Sequence, residues 1–300
     1  MTRDAAIARA RATMDDGSFM TALAALIARP TESRRPDAGG DLRAYLDEAI
    51  TPLLSRMGFA CKVLDNPDGP PILHAERIED PSRPTVLIYG HGDVVDGMAG
   101  RWADGRDPFR ADVSGDRIYG RGAADNKGQH LVNFLALEAV LAERGRLGFN
   151  VRVALEMGEE AGSPGLHAMF ARHRDLFAAD ALIASDGPRV AADKPTVFLG
   201  ARGAVNFALR CRLREGAHHS GNWGGLLRDP CIRLAHALAA VTDARGVLKI
   251  PEWRPDSLTP AVREAIAGCV LGDTGPRVDP DWGEPGLTPA ERVWGWNSFA

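Results

Sequence analysis

Short apolar runs, each closed by glycine or an acid, set the rhythm of the chain from about residue 59 to 187. The run Thr85-Val-Leu-Ile-Tyr89 stops at Gly90-His-Gly-Asp93, so a buried strand delivers an imidazole and a carboxylate at its C-terminal end. Open α/β sheets place their chemistry at that end. Three later stretches repeat the device, each bringing an acid to the end of an apolar run: Ile118-Tyr-Gly-Arg-Gly-Ala-Ala-Asp125, Val151-Arg-Val-Ala-Leu-Glu-Met-Gly-Glu-Glu160 and Ala181-Leu-Ile-Ala-Ser-Asp186.

Between these runs the period changes to that of helices. Residues 4–14 and 18–28 read as helices, with Pro30 closing the second. Asp41 opens another, whose Leu42, Leu46, Ile50, Leu53, Leu54 and Met57 share one face and which ends at Gly58. Strands at 59–64 and 72–75 flank the turn-rich 65–71. After Gly128 a long helix, apolar nearly all round, runs to about Glu143 and belongs under the sheet. Strands at 150–157 and 181–185 with a helix near 165–173 complete a βαβ series. The fold class is α/β, a mostly parallel sheet with helices on both faces.

The pattern changes at about residue 203. Val205, Phe207, Leu209, Cys211 and Leu213 alternate with Asn206, Ala208, Arg210 and Arg212, the mark of a strand with one face in solvent. Asp229-Pro230 starts a helix to about Ala240, a short strand follows at 247–250, and Thr259-Pro260 starts another helix. The expected division is 1–202 for a catalytic, metal-binding domain and 203–300 for a partial α+β domain.

Composition narrows the function. With 36 basic and 40 acidic residues the formal charge is −4, and no block of like charge offers a nucleic-acid or anionic-membrane surface. Cys61, Cys211, Cys231 and Cys269 are scattered and form no C-x-x-C pair, so they suggest neither a disulfide framework nor a thiolate zinc site and read as reduced packing cysteines in the cytoplasm. The apolar stretch 20–28 is too short to span a membrane. A small dissolved substrate is the default.

Alone, Gly-His-Gly-Asp reads as a turn with a packed histidine, Asp125 as a helix cap, Glu159-Glu160 as a solvated turn and Asp186 as the cap of Gly187-Pro188. Together they form a cluster of imidazole and hard oxygen suited to zinc or a similar divalent ion. Asp93, two residues from His91, is placed to accept from the second imidazole nitrogen. Adjacent carboxylates point apart, so one of Glu159 and Glu160 can bind metal while the other faces water as a general base.

Gly90-His-Gly-Asp-Val-Val95, Gly120-Arg-Gly-Ala-Ala-Asp-Asn-Lys-Gly-Gln129, Gly158-Glu-Glu-Ala-Gly162 and Ser185-Asp-Gly187 resemble, in order, the motifs of a di-zinc amidohydrolase and peptidase family. That family includes acetylornithine deacetylase, succinyl-diaminopimelate desuccinylase, aminoacylase, carnosinase-type dipeptidases and glutamate carboxypeptidase. The resemblance implies that Asp125 bridges two metals, zinc with cobalt or manganese as substitutes. His91 and Asp186 would complete one site, and Glu160 would belong to the other. Asp93 would orient His91, and Glu159 would be the general base and acid. The peptide bond after the bridging aspartate would be cis.

The same resemblance makes 203–300 part of an inserted dimerisation, or lid, domain. His219, in preference to His218, would reach the active site of a partner copy. It also leaves a histidine ligand of the second metal unmatched, since His236 is the last histidine, and a chain truncated at its C-terminus is the expectation. The implied activity is hydrolysis of an amide or peptide bond in a small carboxylate-bearing substrate, an N-acyl amino acid or a dipeptide. Two rivals stand beside it. A serine hydrolase built on Ser220 lacks the G-x-S-x-G elbow and leaves the acids unexplained. An inactive homologue would act only through its dimerisation domain.

Overall fold

The computed structural model describes residues 3–187, 189, 193–198, 203–271 and 276–297. The chain divides into two compact units, Met1–Gly187 and Pro188–Ala300. The break in pattern at 203 falls inside the second unit, and residues 200–202 beside it lie outside the described residues.

The first unit opens with α1 (Arg3–Asp15) and α2 (Ser18–Ile27), followed by α3 (Gly39–Ala44), a π-helical stretch Tyr45–Ile50 and α4 (Thr51–Ser55). The apolar face anticipated for 41–57 is the buried one, from Leu42 to Met57. Strands β1 (Ala60–Leu64), β2 (Ile72–Arg77) and β3 (Thr85–His91) come next, then a hairpin of β4 (Asp112–Ser114) and β5 (Arg117–Tyr119). Helix α5 (Lys127–Arg144), β6 (Asn150–Glu156), α6 (Leu166–Arg172), α7 (Arg174–Phe177) and β7 (Ala181–Ala184) complete it.

The main sheet has the order β1-β2-β6-β3-β7. β3 pairs in parallel with both β6 and β7, and only β2 runs against the others. Side chains alternate across β6. Val151, Val153 and Leu155 join the larger core with Leu131, Phe134 and Leu137 of α5, whereas Ala154 joins Leu87, Met169 and Phe177 on the other face. The connection from β3 to β6 thus lies on one face and that from β6 to β7 on the other. The two crossovers part at the carboxyl end of β3, where such sheets open a crevice.

Two expectations need correction. Helix α5 is not buried all round, since Val132 is 52% exposed although apolar, and the buried residues lie on one side of the helix. Asp125 does not end a strand of the main sheet. The apolar run before it forms only β5 of the separate hairpin, and Asp125 stands in the loop that enters α5.

The second unit contains α8 (Ser220–Trp223), α9 (Pro230–Val241), α10 (Pro260–Ile266) and α11 (Pro289–Trp294). Asp229 caps α9 through the N–H groups of Cys231 and Ile232, with Pro230 in the first turn, as the sequence requires. The expected strand at 205–213 belongs to no ladder among the described residues, and that at 247–250 is reduced to a single bridge, Thr242 with Leu248. Alternation supplies one face of a strand. A ladder also needs a neighbour, and the described residues of this unit offer none.

Candidate metal centre

β6, β3 and β7 are adjacent and parallel, so their carboxyl ends share one edge. His91 is the last residue of β3 and is fully buried. Glu159 and Glu160 follow β6 in a short 3-10 turn, Asp186 follows β7, and Asp125 comes in from the loop before α5. The Asp125-Asn126 peptide is cis.

The Nε2 of His91 lies 2.9 Å from Asp125 Oδ1, 3.7 Å from Asp186 Oδ2 and 3.9 Å from Glu159 Oε2. Its Nδ1 faces the buried Asp93, 3.4 Å from Oδ1 and 3.1 Å from the backbone oxygen. Asp93 has a further task that spacing did not reveal. Its two carboxylate oxygens accept the backbone N–H groups of Glu159 and Glu160, at 3.2 and 3.1 Å, and so hold the acidic turn against the strand end. Tyr89 and Ser163 both donate to Glu156 Oε1, at 2.6 and 2.9 Å, which ties the far side of the same loop to β6.

The electrostatics are those of crowded acids around one base. Burial opposes a charge on His91, but Asp93, then Asp186 and Asp125, outweigh it and raise its pKa to about 9. Burial pushes the carboxyl groups of Glu159, Glu160 and Asp186 above their ordinary values, and neighbouring carboxylates add to the rise, against the pull of His91. One ligand atom from each of His91, Asp125 and Asp186 lies within 4.8 Å of the others. Imidazole with two carboxylates is a donor set that zinc accepts, and a cation there relieves the acid repulsion, so the residues fit a divalent ion. Glu160 stands outside this group of three, and Asp125 is the first of the neighbouring charges that act on it.

His219 belongs to the second unit. It is exposed, and its Nδ1 accepts the N–H of Gly221 at 3.1 Å as the cap of α8. His218 stands against Trp223, ring centroids 6.3 Å apart. Sequence reasoning passed over Tyr45, Asn126, Lys127, His130 and Glu156, all buried polar residues close to the cluster. A polar residue in the apolar stripe of a helix, as His130 is in α5, was the signal available.

An α/β unit on a mixed sheet, with an imidazole and carboxylates gathered at the ends of its parallel strands, has the architecture of a metallohydrolase catalytic domain. The model of Peptidase family M20/M25/M40 matches residues 87–293, and the chain belongs to that family. It is 37% identical over 194 residues to the Beta-Ala-His dipeptidase of Mus musculus, a match covering 62% of this chain and 39% of that protein. It is also 37% identical over 163 residues to the Cysteinylglycine-S-conjugate dipeptidase of Corynebacterium striatum, covering 54% and 34%. The structure of human carnosine dipeptidase 1 superposes with a TM-score of 0.67 at 27% identity, covering 89% of this chain and 59% of that one. The M20 family metallo-carboxypeptidase Sso-CP2 from Sulfolobus solfataricus gives a TM-score of 0.67 at 25% identity, covering 92% and 62%. The matched curated dipeptidases are thus much longer than the part this chain spans. No helix among the described residues is long and apolar enough to cross a membrane.

Proposed function

We propose that the protein is a zinc-dependent hydrolase of the peptide bond in dipeptides or related N-acyl amino acids, acting in the cytoplasm as a homodimer. The observation that carries this reading is His91 Nε2 facing Asp125, Asp186 and Glu159 at 2.9–3.9 Å, with Asp93 at its other nitrogen. The dipeptidase names of the relatives supply the substrate class. His91, Asp125 and Asp186 would hold one ion, and Asp125 with Glu160 a second.

When bound, the ions supply Lewis acidity and make water acidic enough to lose a proton near neutral pH. The chain's own residues do the rest. Glu159 takes the proton of the attacking water and returns it to the leaving nitrogen, a task helped by its raised pKa. Asp93 holds the His91 ring by its Nδ1 and the Glu159 turn by two backbone N–H groups, so base and ligand keep one spacing. His219 from a partner copy stabilises the developing oxyanion, with the domain beyond about residue 203 as the dimerisation element.

Glu159→Gln tests the central role. Zinc content should be unchanged while dipeptide turnover falls by about 100-fold or more. Turnover within a few fold of wild type would show that another group is the base.

A further inference from the structure

Beneath the carboxylates runs a polar column closed to solvent. Tyr45, Asn126 and His130 are each 0% exposed. The Tyr45 hydroxyl lies 2.9 Å from His130 Nε2, and His130 Nδ1 lies 3.4 Å from Asn126 Oδ1. Asn126 Nδ2 donates to the Ser185 carbonyl at 2.6 Å, and its Oδ1 accepts the N–H of His91 at 3.4 Å. One amide therefore touches the strand end that carries His91 and the residue before Asp186, while its own backbone follows Asp125.

The amide has one satisfactory orientation. Reversed, it would set its NH2 against the His91 N–H and its oxygen against the Ser185 carbonyl. With Oδ1 toward the ring, His130 must carry its hydrogen on Nδ1, which leaves Nε2 a bare acceptor and makes Tyr45 the donor. The ring is closed to solvent between uncharged partners, the Tyr45 hydroxyl and the Asn126 amide, an environment that favours neutral imidazole. Tyr45 is itself fixed. Its ring fills the space beside Gly92, where a Cβ would meet Cε1 at 2.5 Å, and the Lys127 ammonium lies 5.2 Å from its centroid.

We propose that Tyr45 and His130 are a positioning pair for the metal centre. They fix the Asn126 amide and, through it, the spacing of His91, Asp125 and Asp186, and so set how tightly the centre holds a divalent cation. This rests on the reading of those three residues as ligands. Neither Tyr45 nor His130 takes part in the hydrolytic chemistry, and their effect is on affinity.

The test is the zinc dissociation constant of the 300-residue chain, measured by competition with a chromophoric chelator, with near-UV circular dichroism as the check on folding. An asparagine amide nitrogen falls about where Nδ1 stood, and a glutamine amide nitrogen about where Nε2 stood. His130→Asn keeps the contact to Asn126 but, like Tyr45→Phe, gives up the tie to Tyr45, and should bind zinc about tenfold more weakly than wild type, whereas His130→Gln loses the Asn126 contact and should bind about 100-fold more weakly. A residue that only supports the fold would shift thermal midpoints without separating the two variants in zinc affinity. Equal zinc constants for the two, or no weakening in His130→Gln, would overturn the proposal. Should His130→Gln fail to fold, Tyr45→Phe, which removes one hydroxyl, decides: about tenfold weaker binding supports the pair, and unchanged binding overturns it. His91→Ala separates the two levels, because unchanged zinc affinity in that variant removes the metal centre itself.

Discussion

Gly92 separates the imidazole from the carboxylate that steadies it, and the space around it admits no side chain. A Cβ there would stand 2.5 Å from Tyr45 Cε1 and 2.7 Å from Met157 Sδ. Gly92→Ala should therefore cost about 1–3 kcal/mol, read as a lower urea midpoint; an unchanged midpoint would show that Tyr45 can move aside. A second residue-scale outcome concerns His74, buried against Phe177 with no partner for its Nε2. Burial lowers its pKa below the ordinary 6.5, Glu76 opposing. Between the folded and unfolded values the unfolded chain binds more protons at this ring, so its contribution to stability falls as pH falls below about 6.5. The stability advantage of His74→Phe over wild type should widen from about pH 7 to about pH 5. Parallel urea curves at the two pH values check this, and a constant difference would contradict it. At this scale His91, Asp93, Asp125, Glu159 and Asp186 were legible because each follows an apolar run or a glycine turn. Asn126 and His130 were not, because a buried hydrogen bond between distant segments leaves no period in the sequence.

Among elements, α2 and α5 share the larger core, and one buried lysine adds hydrogen bonds between them. Lys127 Nζ donates to the carbonyls of Leu26 and Arg29, at 3.0 and 2.6 Å, as a second donor beside the backbone N–H groups of Arg29 and Thr31. Lys127→Met should take one charged donor from each carbonyl, leaving only the N–H groups of Arg29 and Thr31 on them, and cost about 1–3 kcal/mol, with hydrogen exchange in 18–27 accelerated ahead of the rest; uniform acceleration would place the effect elsewhere. The helix of 41–57 was readable because it buries one face, and β3 and β6 because their apolar runs are short and end at glycine or an acid. The hairpin that carries the approach to Asp125 was misread as another sheet strand, since a short apolar run does not say which sheet it joins. The run from 205 to 213 failed for the complementary reason, a strand pattern whose ladder partner is missing from the described residues of its own unit.

At the scale of the whole molecule, that run leaves Val205 85% and Leu209 48% exposed. Apolar surface of this kind calls for association. Sedimentation should show a concentration-dependent dimer that Leu209→Arg shifts toward monomer; a monomer at all concentrations would remove the dimer from the account. The donor set makes its own demand on stoichiometry. His91, Asp125 and Asp186 supply three ligands to one ion, while Asp125 and Glu160 offer a second ion only carboxylates. The 300-residue chain should hold one zinc tightly and a second weakly, with low turnover. Everything in the account depends on a metal among the first three, and anomalous scattering at the zinc edge from crystals grown with zinc locates it directly. A peak should appear bounded by His91 Nε2 and the carboxylates of Asp125 and Asp186; strong zinc peaks only elsewhere on the chain, with that position empty, would contradict a metal centre there.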